Sequence, residues 1–133
     1  MKKNRLFFIL ILSLVFTFST QAQVIGLWKG DLHIANQTLK MNVKFYDDNG
    51  KIAGNLDIPQ QSAMGLKLTN IEESGNNIKF EFVISSTNIL QFDGNVIGDS
   101  LKGNFQQRGI PGKFELKKET EDNNTTKNEM KKR

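Results

Sequence analysis

The sequence predicts an all-β domain, a small eight-stranded antiparallel up-and-down barrel, and three observations support this fold class. Between Ile25 and Leu116 apolar residues recur at every second position, which is the period of a strand. Seven short turn signals interrupt this pattern at regular intervals and so separate eight strands. The longest connection, Pro59–Gly65, is too short for the cross-connections of a Greek-key sandwich. A two-sheet sandwich remains the alternative to the barrel.

The N-terminal segment has the pattern of a secretory signal peptide. Three basic side chains within residues 2–5 precede an apolar run over residues 6–18, and Ala22 supplies a small residue for cleavage. An uncleaved membrane anchor is the alternative, but the run is shorter than the roughly 20 residues that span a bilayer. We therefore expect residues 1–22 to be removed and the protein to be periplasmic or released from a bacterial cell.

Charge and composition divide the rest of the chain into two parts. The formal charge is +4, yet residues 23–116 carry nine basic and ten acidic side chains, so this body lacks the basic face of a nucleic-acid-binding protein. Met130 is the one sizeable apolar residue after Lys117, so residues 118–133 are predicted to be a disordered charged tail. The predicted barrel domain is 23–117. The chain has no cysteine, so the domain must be stable without disulfides.

Turn lengths predict the register of the first three strands. A two-residue turn at Asn36-Gln37 would place Trp28 opposite Phe45, and one at Asn49-Gly50 would place Phe45 opposite Gly54. All these residues fall on one face, which is the expected interior. We expect Trp28 to close one end of the barrel.

The later strands give a similar pattern. A turn at Gly98-Asp99 would pair Phe92 with Phe105 and Gly94 with Gly103, and a three-residue loop at 86–88 would place Phe80 opposite Gly94. The fourth strand loses its alternation near Thr69-Asn70, where a β-bulge is predicted.

Short motifs in the body resemble two known groups. Gly26-Leu27-Trp28-Lys29-Gly30 is similar to the Gly-x-Trp start of lipocalin-type barrels. The order of motifs over residues 26–116 resembles the non-catalytic N-terminal β-domain of secreted bacterial serine hydrolases of the α/β class. The motifs are Gly26-x-Trp28-x-Gly30, Asp48-Asn49-Gly50, Gly54-Asn55-Leu56-Asp57, the segment Pro59–Gly65, Phe92-Asp93-Gly94, Gly103-Asn104-Phe105-Gln106 and Pro111. Ile58 and Gln60 depart from the family pattern, and no catalytic domain follows. The resemblance implies a lipocalin-like accessory barrel.

The body offers no set of residues for catalysis or metal binding. Ser62 lacks the flanking glycines of a nucleophile elbow, and His33, the one histidine, lies in the outward phase of its strand. With no cysteine and one imidazole a zinc site is not expected, and the apparent calcium loop around Asp47–Gly50 places apolar residues at ligand positions. We expect no catalytic residue, no metal and no cofactor, and hence no enzyme.

The barrel interior is the first candidate site. Gly94 and Gly103 are inward and opposite each other, and inward glycines either leave unfilled volume or are covered by neighbouring side chains. Open volume there would take a small apolar ligand. The candidate ligand-binding residues are Trp28, Phe45, Phe80, Phe92, Gly94, Gly103 and Phe105.

The longest loop is the second candidate site. Pro59, Gln60, Gln61 and Met64 would form a docking surface for a secreted hydrolase or an envelope protein, as the resemblance implies. A large interior space would favour ligand binding, whereas a filled interior with an exposed apolar loop would favour docking.

Overall fold

Residues 24–120, which a computed structural model describes, form nine antiparallel strands that follow each other around an up-and-down barrel. The order across the sheet is β4-β3-β2-β1-β9-β8-β7-β6-β5, so the first strand pairs with the last as predicted. The predicted signal peptide and nearly all of the predicted tail lie outside the described residues. The strands are β1 Gly26–Ile34, β2 Gln37–Asp48, β3 Lys51–Ile58, β4 Ala63–Lys67, β5 Thr69–Ser74, β6 Asn77–Ser85, β7 Asn88–Ile97, β8 Ser100–Gln107 and β9 Ile110–Lys118, with one 3-10 turn at Pro59–Gln61.

The strand count differs from the predicted eight because the fourth strand is divided at Leu68. Its first part, β4, pairs with β3, and its second part, β5, pairs with β6. Leu68 itself donates its backbone N–H to the carbonyl of Gly54 at 2.9 Å. The predicted bulge is confirmed, since the β5–β6 register shifts between Thr69 and Glu72 and Asn70 has φ +48°. β4 and β5 are the two edges of the sheet, and the chain connects them directly through Leu68.

Two hairpins have the predicted register. Phe45 pairs with Gly54 across the Asn49-Gly50 turn. Gly94 pairs with Gly103 and Phe92 with Phe105 across the Gly98-Asp99 turn. In both turns the glycine has a positive φ, +86° at Gly50 and +58° at Gly98, which a glycine adopts without strain.

The predicted register of the other two hairpins is wrong by two residues. The first turn is Ala35-Asn36, so Trp28 pairs with Val43 and not with Phe45. Ala35 takes φ +51° there, a conformation that sequence preferences disfavour for alanine.

In the later hairpin Ser85 pairs with Asn88, so the turn has two residues rather than the predicted three. A further shift of one residue lies between Val83 and Ser85, so Phe80 lies opposite Phe92 and not opposite Gly94. A shift of two residues keeps every side chain on its predicted face but moves it along the barrel by about 7 Å.

Large aromatic side chains fill the barrel from one end to its middle. Trp28 is fully buried, and its indole Nε1–H donates to the carbonyl of Val24 at 2.8 Å. This end, marked by Val24 and Trp28, is called the closed end. In the middle the rings of Phe80 and Phe92 stack with centroids 4.7 Å apart, and those of Phe92 and Phe105 at 5.5 Å. The prediction that Trp28 closes one end is confirmed.

The last strand is longer than the predicted domain boundary at Lys117. Lys118 belongs to β9 and pairs with Trp28, and the N–H of Glu119 donates to the carbonyl of Leu27 at 2.8 Å. The ammonium group of Lys118 also lies 5.6 Å from the centroid of the Trp28 ring. These two residues are part of the barrel and not of the tail.

Candidate ligand-binding site

Burial decreases along the strands from the closed end to the opposite end, which is called the open end and carries the turns between β1 and β2 and between β6 and β7. On β6 the inward residues Ile78 and Phe80 are fully buried, Phe82 is half-buried, and Ile84 is 52% exposed. Ile34 on β1 is likewise only half-buried. Apolar side chains therefore point inward at the open end without being covered by other residues.

The uncovered side chains surround a pocket of about 420 Å³. This volume lies in the range of about 300–1,000 Å³ that is common for small-molecule sites. Ten of its lining residues are apolar and come from seven of the strands. They are Leu32, Ile34, Leu39, Ile58, Ala63, Leu66, Phe82, Ile84, Leu90 and Phe105, the last of which also contacts the aromatic core.

The pocket extends to a gap between β4 and β6, two strands that are not hydrogen-bonded to each other. In the sheet order β4 and β5 are the two edges, and β5 covers β6 only as far as the pair Thr69 and Glu81. The upper part of β6, Phe82–Ser85, pairs with β7 alone. Ala63 and Leu66 line the pocket on one side of this gap, and Phe82 and Ile84 line it on the other. The gap between β4 and β6 thus opens the pocket sideways.

Three glutamines are the polar residues of the pocket, and no charged side chain within residues 24–120 lines it. Gln37 and Gln61 are exposed at the rim, whereas Gln107 is half-buried. The Nε2 group of Gln107 donates to the Oδ1 atom of Asn88 at 3.2 Å, which fixes the side-chain carboxamide. The backbone N–H of Lys40 donates to the side-chain carbonyl of Gln60 and ties the 3-10 turn to β2.

Most of the predicted ligand-binding residues lie between this pocket and the closed end. Trp28, Phe45, Phe80 and Phe92 are buried in the core, and Phe105 is the one member of the predicted set that lines the pocket.

The glycines of the predicted site border no open space. A Cβ atom built on Gly103 would lie 2.0 Å from the carbonyl oxygen of Asp93, so this glycine lets two strands approach closely. One built on Gly94 would lie 2.8 Å from the Phe114 ring. Of the two alternatives for this pair, unfilled volume or cover by neighbouring groups, the structure shows the second, because backbone and Phe114 occupy the space.

The residues of the predicted docking loop separate in the structure. Pro59 begins the 3-10 turn, and Gln60 binds the β2 backbone. Gln61 lines the pocket, while the side chain of Met64 is 60% exposed beside the gap between β4 and β6. Their role in protein docking stays a prediction.

Sequence reasoning missed most of the pocket, including Leu32, Leu39, Leu66 and Leu90. Each lies in the inward phase of its strand, which the alternating pattern does show. The pattern does not show how far each residue lies from the closed end along the barrel axis. That distance determines whether an inward side chain lies in the core or in the pocket.

Other parts of the described chain offer weaker sites. A depression of about 630 Å³ lies on the outer face of β5–β8 and is larger than the pocket, but it is shallow, and polar side chains line it. Those side chains bond to each other, as when Asn70 and Gln91 donate to the carboxylate of Glu81. His33 is exposed and contacts Thr38 at 3.0 Å. Within residues 24–120 no group of three or more His, Cys, Asp or Glu side chains could hold a metal ion.

Comparison with known proteins gives likenesses in structure alone. No family model and no curated protein sequence matches the chain. A secretory abundant heat soluble protein of Ramazzottius varieornatus is similar with a TM-score of 0.54 and 14% identity, covering 71% of this chain and 94% of that one. Secretory abundant heat soluble protein 4 of the same organism is similar with a TM-score of 0.52 and 17% identity, covering 74% and 96%.

A fatty acid binding protein of Schistosoma mansoni, solved in complex with arachidonic acid, is also similar. Its TM-score is 0.53 at 14% identity, and the match covers 74% of this chain and 98% of that one. At these identities the likenesses establish the fold, a lipocalin-like antiparallel barrel. Among the described residues no helix is both long and apolar enough to span a bilayer.

Proposed function

We propose that this protein is a non-catalytic module that binds one small apolar ligand, or the apolar chain of a lipid, in the pocket at the open end. The observation that carries the proposal is a pocket of about 420 Å³ whose lining is apolar apart from three glutamines. Burial of apolar ligand surface in such a pocket is favourable by about 25 cal/mol per Å². The proposed ligand is apolar, as predicted, but its site lies closer to the open end than the predicted site beside Gly94 and Gly103.

Two further observations support this proposal. The exposed apolar residues Met64, Val83 and Ile84 lie beside the gap between β4 and β6, where a ligand would pass. The fatty acid binding protein with a similar fold was solved in complex with arachidonic acid.

The test is titration with an environment-sensitive apolar dye, using one variant that fills the pocket and a matched control. Ala63 lines the pocket, whereas Ala53 lies on β3 next to the inward Gly54 and faces outward. Ala63→Phe should weaken dye binding by about tenfold or more because the ring occupies the ligand volume. Ala53→Phe should leave the affinity unchanged, with both variants checked by thermal melting. Equal dye binding by both variants would place the dye elsewhere and contradict the proposal.

Docking to a protein is the second candidate function, and the 60% exposed Met64 next to the 3-10 turn favours it. A secreted hydrolase or an envelope protein is the partner that the sequence resemblance implies. Native mass spectrometry of the protein from its own envelope fraction separates the two functions. A retained small molecule supports the pocket, and a retained hydrolase that is lost in Met64→Glu supports docking.

We also propose export and the absence of hydrolase activity. The basic start and apolar run of residues 1–22 support export to the periplasm or medium. Cell fractionation with mass analysis should find a chain that begins after Ala22. Ester or peptide hydrolysis that persists through repurification and is lost in Ser62→Ala would contradict a non-catalytic role.

A further inference from the structure

The polar residues at the pocket determine which ligand head group it can accept. Gln37, Gln61 and Gln107 are its polar lining residues, and each side chain ends in a neutral carboxamide. A carboxamide both donates and accepts hydrogen bonds, so it matches hydroxyl, ester and amide groups. Gln107 uses one N–H of its Nε2 group on Asn88, so it offers a ligand its side-chain carbonyl oxygen and its second N–H.

In the part of the chain that the structure describes, no cation lines the pocket to neutralise an acidic ligand. Lys40 contributes its ammonium group to an ion pair with Asp31 at 2.6 Å on the outer face. Arg108 follows Gln107 in the β8–β9 turn, but its side chain is exposed and does not line the pocket. A carboxylate drawn into this mouth would lose water without gaining an opposite charge, which is unfavourable.

The carbonyl oxygen of Gln107 adds to this effect. A hydroxyl or amide N–H can donate to it, whereas an ionised carboxylate has no hydrogen to donate and places negative charge near the oxygen's own partial charge.

We infer that the natural ligand is an apolar chain with a neutral head group that can donate a hydrogen bond, such as a long-chain alcohol or an amide, and not an ionised fatty acid. This inference rests on the proposed function, since it specifies the ligand of the same pocket. Gln107 is its specificity-determining residue, because it is the most buried of the three glutamines.

The experiment compares two probes with the same chain length, dodecan-1-ol and dodecanoate. Each is used at low concentration and at pH 8 to displace the apolar dye. The alcohol should bind about tenfold more tightly than the acid. Lowering the pH toward 4 should narrow this difference, because protonated dodecanoic acid is neutral and can donate a hydrogen bond.

Three variants assign the preference to Gln107. Gln107→Leu should weaken alcohol binding by about fivefold, because one hydrogen bond is lost. Gln107→Arg should reverse the order of the two probes, because a guanidinium pairs with a carboxylate. Arg108→Gln is the control on the exposed neighbour and should change neither affinity.

The outcomes separate this inference from the proposed function. Dodecanoate binding as tight as alcohol binding at pH 8 would overturn the inference, and loss of that binding in Arg108→Gln would identify an ion pair instead. Dye binding that Ala63→Phe blocks but neither probe displaces would overturn the inference and leave the pocket intact. Absence of dye binding would contradict both.

Discussion

The two ends of this barrel follow the same alternating pattern and yet differ in how they are filled. At the closed end Trp28 and Phe45 are buried to 1% exposure or less, and the indole of Trp28 bonds to the backbone. At the open end the inward positions carry aliphatic residues such as Ile34 and Ile84, which reach less far across the interior. The alternating pattern determines which side chains point into the barrel. The size of those side chains determines whether the interior is a filled core or an open pocket.

Backbone pairing is interrupted at both ends of the barrel. At the closed end β9 joins β1 as far as the pair Trp28 and Lys118. Around the open end Phe82–Ser85 lacks a strand on the β4 side. Toward the closed end the sheet is interrupted between β3 and β5, which do not pair with each other, so the size of the inward side chains and not the pairing distinguishes the two ends. Four predictions test this contrast, from the largest effect to the smallest.

Removal of the closed-end aromatic should have the largest effect on stability. Trp28→Ala should lower the free energy of unfolding by about 3–5 kcal/mol, because it leaves a cavity and an unpaired carbonyl on Val24. Urea denaturation followed by circular dichroism measures this. An unchanged midpoint would show that Trp28 does not support the closed end.

A side chain at the Gly94 and Gly103 pair should have the next largest effect. Gly103→Ala should cost about 1–3 kcal/mol, because the added methyl group meets the backbone of Asp93. Gly54→Ala is the matched control, since its nearest neighbour is a flexible side-chain atom of Leu68 at 2.8 Å. Chemical denaturation of both should rank Gly103→Ala as the less stable, and the reverse rank would mean that the strands can separate there.

Substitution at the rim should change binding more than stability. Ile84→Thr keeps a β-branched residue and should change the free energy of unfolding by about 1 kcal/mol or less, while dye affinity falls. Ile97→Thr is the control, because Ile97 is 74% exposed in the turn region of the opposite end. Dye titration of both variants measures the difference, and equal affinities would remove Ile84 from the site.

The smallest effect concerns the carboxyl group of Glu73, which faces inward opposite Ile78 and has an Oε2 atom without a hydrogen-bond partner among the described residues. Burial raises the pKa of this carboxyl above its ordinary value. The folded state therefore holds the proton more tightly than the unfolded state, and stability falls as pH rises through the raised pKa.

Glu73→Gln should accordingly be more stable than the wild type at pH 7, and the two should converge below about pH 4.3, the ordinary carboxyl value. Thermal melting across this pH range measures the difference. Glu72→Gln is the exposed neighbouring control and should follow the wild type. A constant difference at all pH values would mean that ionisation of Glu73 is not the cause.

The fold could be predicted from sequence because, within a regular strand, odd and even positions place their side chains on opposite faces of the sheet. Turns with a glycine at positive φ, such as Asn49-Gly50, were also located correctly. Ala35 gives no such signal, and the turn lies one residue earlier than predicted, which shifts the β1–β2 register by two residues. That error left the fold class intact. The predicted site is misplaced for another reason, because the β7–β8 register is correct and the alternating pattern does not show how far along the barrel axis the interior is filled.

Glycine shows a second limit of sequence reasoning. An inward glycine is compatible with empty space or with close contact, and only the positions of its neighbours distinguish the two. Gly103 lies against the Asp93 carbonyl and Gly54 against Leu68 and Phe45, so both are close contacts. The empty space instead lies beside Ala63 and the aliphatic residues of the open end.

Pairing of the first strand with the last also determines how the barrel can be attached to anything else. β1 begins at Gly26 and β9 ends at Lys118, and the bond from Glu119 to Leu27 keeps both ends of the described chain side by side at the closed end. Any tether, fusion partner or solid support joined through either terminus would hold the barrel from that side. The mouth of the pocket would then face away from the attachment and toward the surrounding medium.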